Sequence, residues 1–243
     1  MAVYKNDPGL KALWSLDEAS GVTRLDYTPN NNDLVDGTTV ANSTDCKEGA
    51  ASADFIRANS ELLIITNAAQ TGLNLTPPFS IVFWVKIDVN DNTEGILTKS
   101  VAVTDLSYYV YRLSTSPYKM RIRLSSNGTS YTSIDSDSGV PSAEWHHIGI
   151  VADGTDVRFY LDGVLDSASP TAWTAALHAS DADFLVGCRM GSDVYESFMD
   201  GHLDELALFS RALSAAEVLS INTSGIQEYL ALFNPKENTL LRM

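Results

Sequence analysis

The stretch FSIVFWVKID, Phe79 to Asp88, constrains the fold more than any other part of the chain. Phe79, Ile81, Phe83, Val85 and Ile87 alternate with Val82, Trp84 and Lys86, and a period of two places the two sets on opposite faces of a β-strand. Val82 and Trp84 are themselves apolar. The strand is therefore expected to be buried on one face and partly covered on the other. The habit recurs in YYVYRLS, MRIRLSS, HHIGIVA and DVRFYLDG. Turn formers punctuate these runs: Asn127-Gly128 predicts a two-residue hairpin turn within residues 120–134, Asp153-Gly154 joins the next two strands, and Asp162-Gly163 turns the chain again. Turn signals about every 8 to 12 residues predict an all-β antiparallel sandwich or jelly roll.

One helix interrupts the pattern. In RALSAAEVLSIN, Ser214 and Glu217 form a capping box and Leu213 and Val218 occupy staple positions, which predicts a short helix over 215–221 ending before Gly225. Beyond it Ile226, Tyr229, Leu230, Leu232 and Phe233, then Leu240 and Leu241 after an Asn234-Pro235 break, make the end too apolar for a free tail.

A length of 243 residues with 44% hydrophobic content suits one large core. A net charge of −15 with only 16 Lys and Arg argues against a nucleic-acid partner. The same charge is expected to repel acidic polysaccharides and to favour divalent cations. No apolar run near the start has the length of a signal peptide, and none reaches the roughly 18 residues of a membrane span. The expectation is a chain made in the cytoplasm, without membrane insertion, that works extracellularly or on a virion surface without a classical signal peptide. Cys46 and Cys188 are expected to be free thiols.

The stretch EWHHIGIVADGTDVRFYLDG sets His146 and His147 near several carboxylates. On a strand, adjacent residues point to opposite faces, so the two imidazoles cannot serve one metal or one substrate, and Asp153 and Asp162 are turn formers. GxSxG, HExxH and P-loop motifs are absent from the sequence. No catalytic residue is assigned.

Taken in order, ALWSLDEASG, DYTPNNNDLVDG, FSIVFWVKI, ILTKS, EWHHIGIVADGTDVRFYLDGVL, FLVG and MDGHLDELALFSRALSAAEV resemble the laminin-G-like domains of the concanavalin A-like lectin/glucanase superfamily, particularly the bacterial and phage branch. The resemblance implies a two-sheet antiparallel jelly-roll sandwich over residues 10–222, closed by one short C-terminal helix, with the first strand beside the penultimate one. Residues 1–9 are an N-terminal extension and 223–243 a C-terminal tail. Glucan-cleaving members of the superfamily carry a Glu-x-Asp-x-x-Glu strand that this chain lacks. Asp204 and Glu205 are adjacent, which on a regular strand puts them on opposite faces, so a glycan-cleaving enzyme is the weakest reading.

The resemblance implies a structural calcium held by Asp17, Glu18 and Asp204 with the loop carbonyl near Gly21, to be weighed against a solvated acidic turn. Tyr108, Tyr109, Tyr111, Tyr118 and Tyr131 cluster in the middle strands. Of these Tyr109, Tyr111, Tyr118 and Tyr131 are candidates for contact with a sugar, or else ordinary sheet residues. The functional expectation is a non-catalytic module attaching to a glycan or protein surface. The alternative is a structural subunit, a decoration or fibre protein of a phage-like particle, with homo-oligomer or particle assembly through residues 226–243.

Overall fold

The computed structural model describes residues 7–101, 104–166, 170–191 and 194–232. Two large antiparallel sheets pack as a jelly-roll sandwich. The first runs Val164–Leu165, Asp156–Leu161, His146–Ala152, Phe79–Ile87, Gly201–Phe209, Ser52–Phe55, Ala41–Ser43. The second runs Thr132–Gly139, Lys119–Gly128, Asp105–Arg112, Glu94–Val101, Phe184–Val186, Leu62–Ile65, Val35–Thr38. Alternation fills the space between them. Phe79, Ile81, Phe83, Val85 and Ile87 face Tyr108, Val110, Met120, Ile122 and Leu124 in one buried cluster, and Trp14 stacks on Phe184 with ring centroids 5.6 Å apart. The strands 146–152 and 156–161 pair through the Asp153-Gly154 turn as expected, with the Asp153 carboxylate accepting from the amides of Thr155 and Asp156.

The outer face of the first sheet carries a second core. Val82, Val151, Tyr160, Ala207 and Phe209 are covered by helix α1, Ala215–Ser224, and helix α2, Ile226–Ala231. The capping box of α1 forms as read: Ser214 Oγ accepts from the Glu217 amide and the Glu217 carboxylate accepts from the Ser214 amide. The helix runs one turn further than predicted. Ile226, Tyr229 and Leu230 are buried against the same chain's sheet, so the start of the expected assembly tail closes the domain instead. Phe233, Leu240 and Leu241 lie outside the described residues. At the other end Asp7, assigned to the extension, is buried and ion-pairs with Arg211 at 2.6 Å. The domain therefore reaches past both predicted boundaries.

Two further expectations change. Leu10–Trp14 pairs with Gly201–Phe209, which is the last strand rather than the penultimate one among the described residues. Asn127 and Gly128 end a strand instead of forming a two-residue turn. The loop is wider because the Asn127 side-chain oxygen accepts from the amides of Thr129 and Ser130, while Gly128 pairs with Leu106 on the neighbouring strand.

Gly201–Phe209 holds the sheet's central irregularity. Along one edge its start pairs with Ser52–Phe55 and its end with Leu10–Trp14. On the other edge its register with Phe79–Ile87 shifts between Asp204 and Ala207, and Glu205 takes φ of 50°. This is a β-bulge, which breaks the alternation of faces.

Asp26 is a structural organiser: its carboxylate accepts from the amides of Leu13, Thr28 and Asn32 at 3.1, 3.0 and 2.8 Å. It ties the loop after the first strand to that strand. Asp26→Ala strands three amide donors and should cost about 2–4 kcal/mol, read as a lower urea midpoint. An unchanged midpoint would refute that role.

Candidate functional site

Two polar constellations stand out, one at each sheet's outer surface. At the bulge, Asp204 is fully buried, and one carboxylate oxygen accepts from the amides of Lys47 and Glu48 at 2.7 and 3.0 Å. Its other oxygen has no partner among the described residues. Glu205, 2% exposed, accepts from Gln227 of α2 at 2.8 Å, and its second oxygen has no partner among the described residues. Glu48 receives the Trp84 indole N–H and the Ile226 amide. Burial first, then the neighbouring carboxylates Glu48 and Asp17, push Asp204 up to about 7. Burial, followed by Glu48, pushes Glu205 up to about 9. Burial also raises Glu48.

The expected calcium quartet is split. Asp17 spends one oxygen on the amides of Ala50 and Ala51, Glu18 reaches the Leu25 amide, and Gly21 gives its amide to Asp36. Among the described residues no three His, Cys, Asp or Glu side chains are grouped to hold a metal ion. These residues do not fit a calcium cage. Asp17 and Asp204 do come into one neighbourhood, as the sequence led one to expect, but their company is Glu48 and Glu205. The bulge turns both Asp204 and Glu205 into the field of Glu48, which strict alternation had ruled out.

The second constellation lies on the outer face of the second sheet, and the strand register builds it. Tyr109 is opposite Arg123, which is opposite Ser133; Tyr111 is opposite Arg121, which is opposite Asp135. Each row is two residues from the next, so all six side chains share one face. The Tyr109 and Tyr111 rings stack at 5.1 Å and 26°. Arg121 pairs with Asp135, Nη2 donating at 2.7 Å, and lies 5.9 Å from the Tyr111 ring. The Arg123 guanidinium sits 4.2 Å from the centre of the Tyr131 ring, 5.3 Å from Tyr109 and 5.4 Å from Tyr111. Arg189 lies 5.9 Å from the Tyr111 ring centre and pairs with Glu196 at 2.6 Å. Next to it opens a pocket of about 380 Å³ lined by Arg57, Asn92, Ser114, Arg189 and Glu196.

Of the four candidate tyrosines, three meet here. Tyr109 and Tyr111 are buried beneath the arginines, and burial raises the Tyr109 hydroxyl above its usual value, so both act as supports; Tyr131 is the exposed ring, at 43%. Tyr118 lies instead against Arg112, 5.2 Å away, in the turn before Lys119. Tyr108 is core, its hydroxyl donating to the Leu73 carbonyl. The arginines escaped the sequence reading, although Arg121 and Arg123 repeat the two-residue spacing of Tyr109 and Tyr111.

The histidines behave as framework. His147 packs on Trp84 at 5.0 Å and is driven down to about 4 by burial, while His146 meets Asp162 at 3.0 Å. Both cysteines are free, Cys188 buried.

A search among curated proteins found no match to this chain. Among solved structures, the fold is similar to domain 4 of AbnA, a GH43 extracellular arabinanase from Geobacillus stearothermophilus, in complex with arabinotriose. The TM-score is 0.65 at 17% identity, covering 88% of this chain and 98% of that one. The binding domain of Paraclostridial Mosquitocidal Protein 1 superposes with a TM-score of 0.68 at 15% identity, covering 89% of this chain and 52% of that one. A structure of botulinum neurotoxin type C, whose cell entry depends on interaction with two ganglioside molecules, gives 0.63 at 14% identity, over 90% of this chain and 52% of that one. The chain thus spans about half the length of these toxin structures. A model of the concanavalin A-like lectin/glucanases superfamily, of the laminin-G type, matches residues 60–219. With two thirds of its length matched and the two-sheet jelly roll in place, the chain belongs to the concanavalin A-like lectin/glucanases superfamily.

Proposed function

We propose that this protein is a non-catalytic glycan-binding module and that it holds its ligand on the tyrosine–arginine face of the second sheet. The observation that carries the reading is Tyr131, an exposed ring with the Arg123 guanidinium 4.2 Å from its centre. A sugar ring needs this combination, an apolar plate for its C–H face beside hydrogen-bonding groups for its hydroxyls. The similar structures described with arabinotriose and with gangliosides support a sugar ligand. The carboxylates that come nearest to a hydrolytic pair, Asp204 and Glu205, are 0% and 2% exposed and cannot flank a glycosidic bond.

The test is affinity electrophoresis and calorimetry against a panel of plant, bacterial and animal polysaccharides, with reducing ends assayed in parallel. Binding without release of reducing ends is expected, and Tyr131→Ala should weaken it about 10-fold, the equivalent of roughly 1.4 kcal/mol. Failure to bind any member of the panel, or binding indifferent to Tyr131→Ala, overturns the proposal.

A further inference from the structure

Resting on that reading, we propose that the glycan taken by this face bears a carboxylate and that Arg123 is the residue that recognises it. The overall charge of −15 argues the other way. That field is screened within about 8 Å at physiological ionic strength, so the groups in contact with the ligand decide. On this face three guanidiniums, Arg121, Arg123 and Arg189, gather around one tyrosine, Tyr111.

The three are not equivalent. Arg121 is matched by Asp135 and Arg189 by Glu196. Arg123 has no carboxylate partner among the described residues. Its Nε donates to Ser133 Oγ at 3.1 Å and its Nη1 to the Tyr109 hydroxyl, and its Nη2 donates to no described residue. Aromatic faces take the place of an acid here, and they stabilise the cation without using its donors.

The arrangement also fixes the guanidinium's plane. Ser133, Tyr109 and the three rings hold it before any ligand arrives, so little side-chain entropy remains to be lost on binding. Nη2, which donates to no described residue, is then left to meet a carboxylate oxygen in a charge-assisted hydrogen bond. The Tyr131 ring beside it would carry the apolar face of the same sugar. A uronic acid unit presents both features within one residue.

The experiment compares a trigalacturonate with neutral galactotriose by calorimetry at moderate salt, using the wild-type chain, Arg123→Gln, Arg123→Lys and Tyr131→Ala. The acidic trisaccharide should bind at least about 10-fold more tightly than the neutral one, a preference that shrinks as salt is raised. Arg123→Gln should bring the two within about 2-fold, and Arg123→Lys should restore only part of the preference, because it keeps the charge and loses the guanidinium's fixed plane. Equal affinity for the two sugars, or a preference that survives Arg123→Gln, overturns the carboxylate assignment and leaves the glycan reading standing. If neither sugar binds, or if Tyr131→Ala weakens neither, the face is not a glycan site and both proposals fall.

Discussion

A chain ending at Gly225 is expected to melt about 6–24 °C below the full chain, having lost about 3–6 kcal/mol of stability. The loss comes from α2. Ile226, Tyr229 and Leu230 are 0%, 3% and 2% exposed, and each large side chain contributes about 1.5–3 kcal/mol by leaving water; the apolar sheet residues they cover leave water with them, and the two faces together outweigh the cost of ordering six residues. The polar contacts add specificity. The Tyr229 hydroxyl donates to Glu217 at 2.7 Å and accepts from Arg211 at 2.8 Å, and Arg211 in turn holds Asp7. One tyrosine thus connects α2, α1, the end of the last strand and the chain's first described residue. Ile226→Ala with Leu230→Ala in the full chain should reproduce most of the effect without shortening the protein. A truncated chain that melts like the full one would show that α2 is dispensable and would revive the idea of an assembly tail.

The second large effect is on pH. For most carboxylates, folding depresses the pKa and stability rises with pH; Asp204 and Glu205 do the reverse. Their folded values, about 7 and about 9, stand above the unfolded values near 4, so the protons are bound more tightly in the folded state. Their contribution is fully present below about pH 4 and is lost as pH rises through 7 and then 9. The groups facing them are Glu48 and Lys47 from the loop, Asp17 from the turn after the first strand, Trp84 from the adjacent strand and Gln227 from α2.

Other carboxylates push in the opposite direction at low pH. Asp153 and Asp45 are held below the usual range, chiefly by Arg158 and Lys86, and lose that support as pH falls toward their folded values. Stability should therefore peak near pH 4–6 and fall by about 2–4 kcal/mol by pH 9, measured as urea midpoints. Glu205→Gln, which imitates the protonated acid and keeps an acceptor for Gln227, should flatten that fall. A midpoint that rises from pH 5.5 to 8.5, or a Glu205→Gln chain with an undiminished slope, would refute the protonated-pair account. Calcium and chelator should give the same curve at pH 8.5; stabilisation by calcium there would mean that an ion, and not a proton, is the missing partner of Asp204.

Local features were legible from the residues alone because their physics is local. Alternation in Phe79–Ile87 depends only on the two-residue period of a strand and on which side chains avoid water, so the sandwich follows from it. The capping box at Ser214 and Glu217 needs only residues three apart, and the Asp153-Gly154 turn needs only the reach of one carboxylate to the next two amides. The separation of His146 from His147 followed from the same period.

What the tertiary structure alone decided involves residues brought together from far apart in the chain. Two strands share one edge of Gly201–Phe209, and the bulge between them overrides alternation, so Asp204 and Glu205 meet Glu48 across more than 150 residues. Helix α2 has an outlet for its apolar face because the first sheet's outer side is itself apolar, which neither segment shows by itself. Tyr109 and Tyr111 were visible as a spaced pair. That Arg121 and Arg123 cover them, leaving Tyr131 as the exposed ring, depends on the strand register, and a shift of one residue would have turned those arginines toward the core.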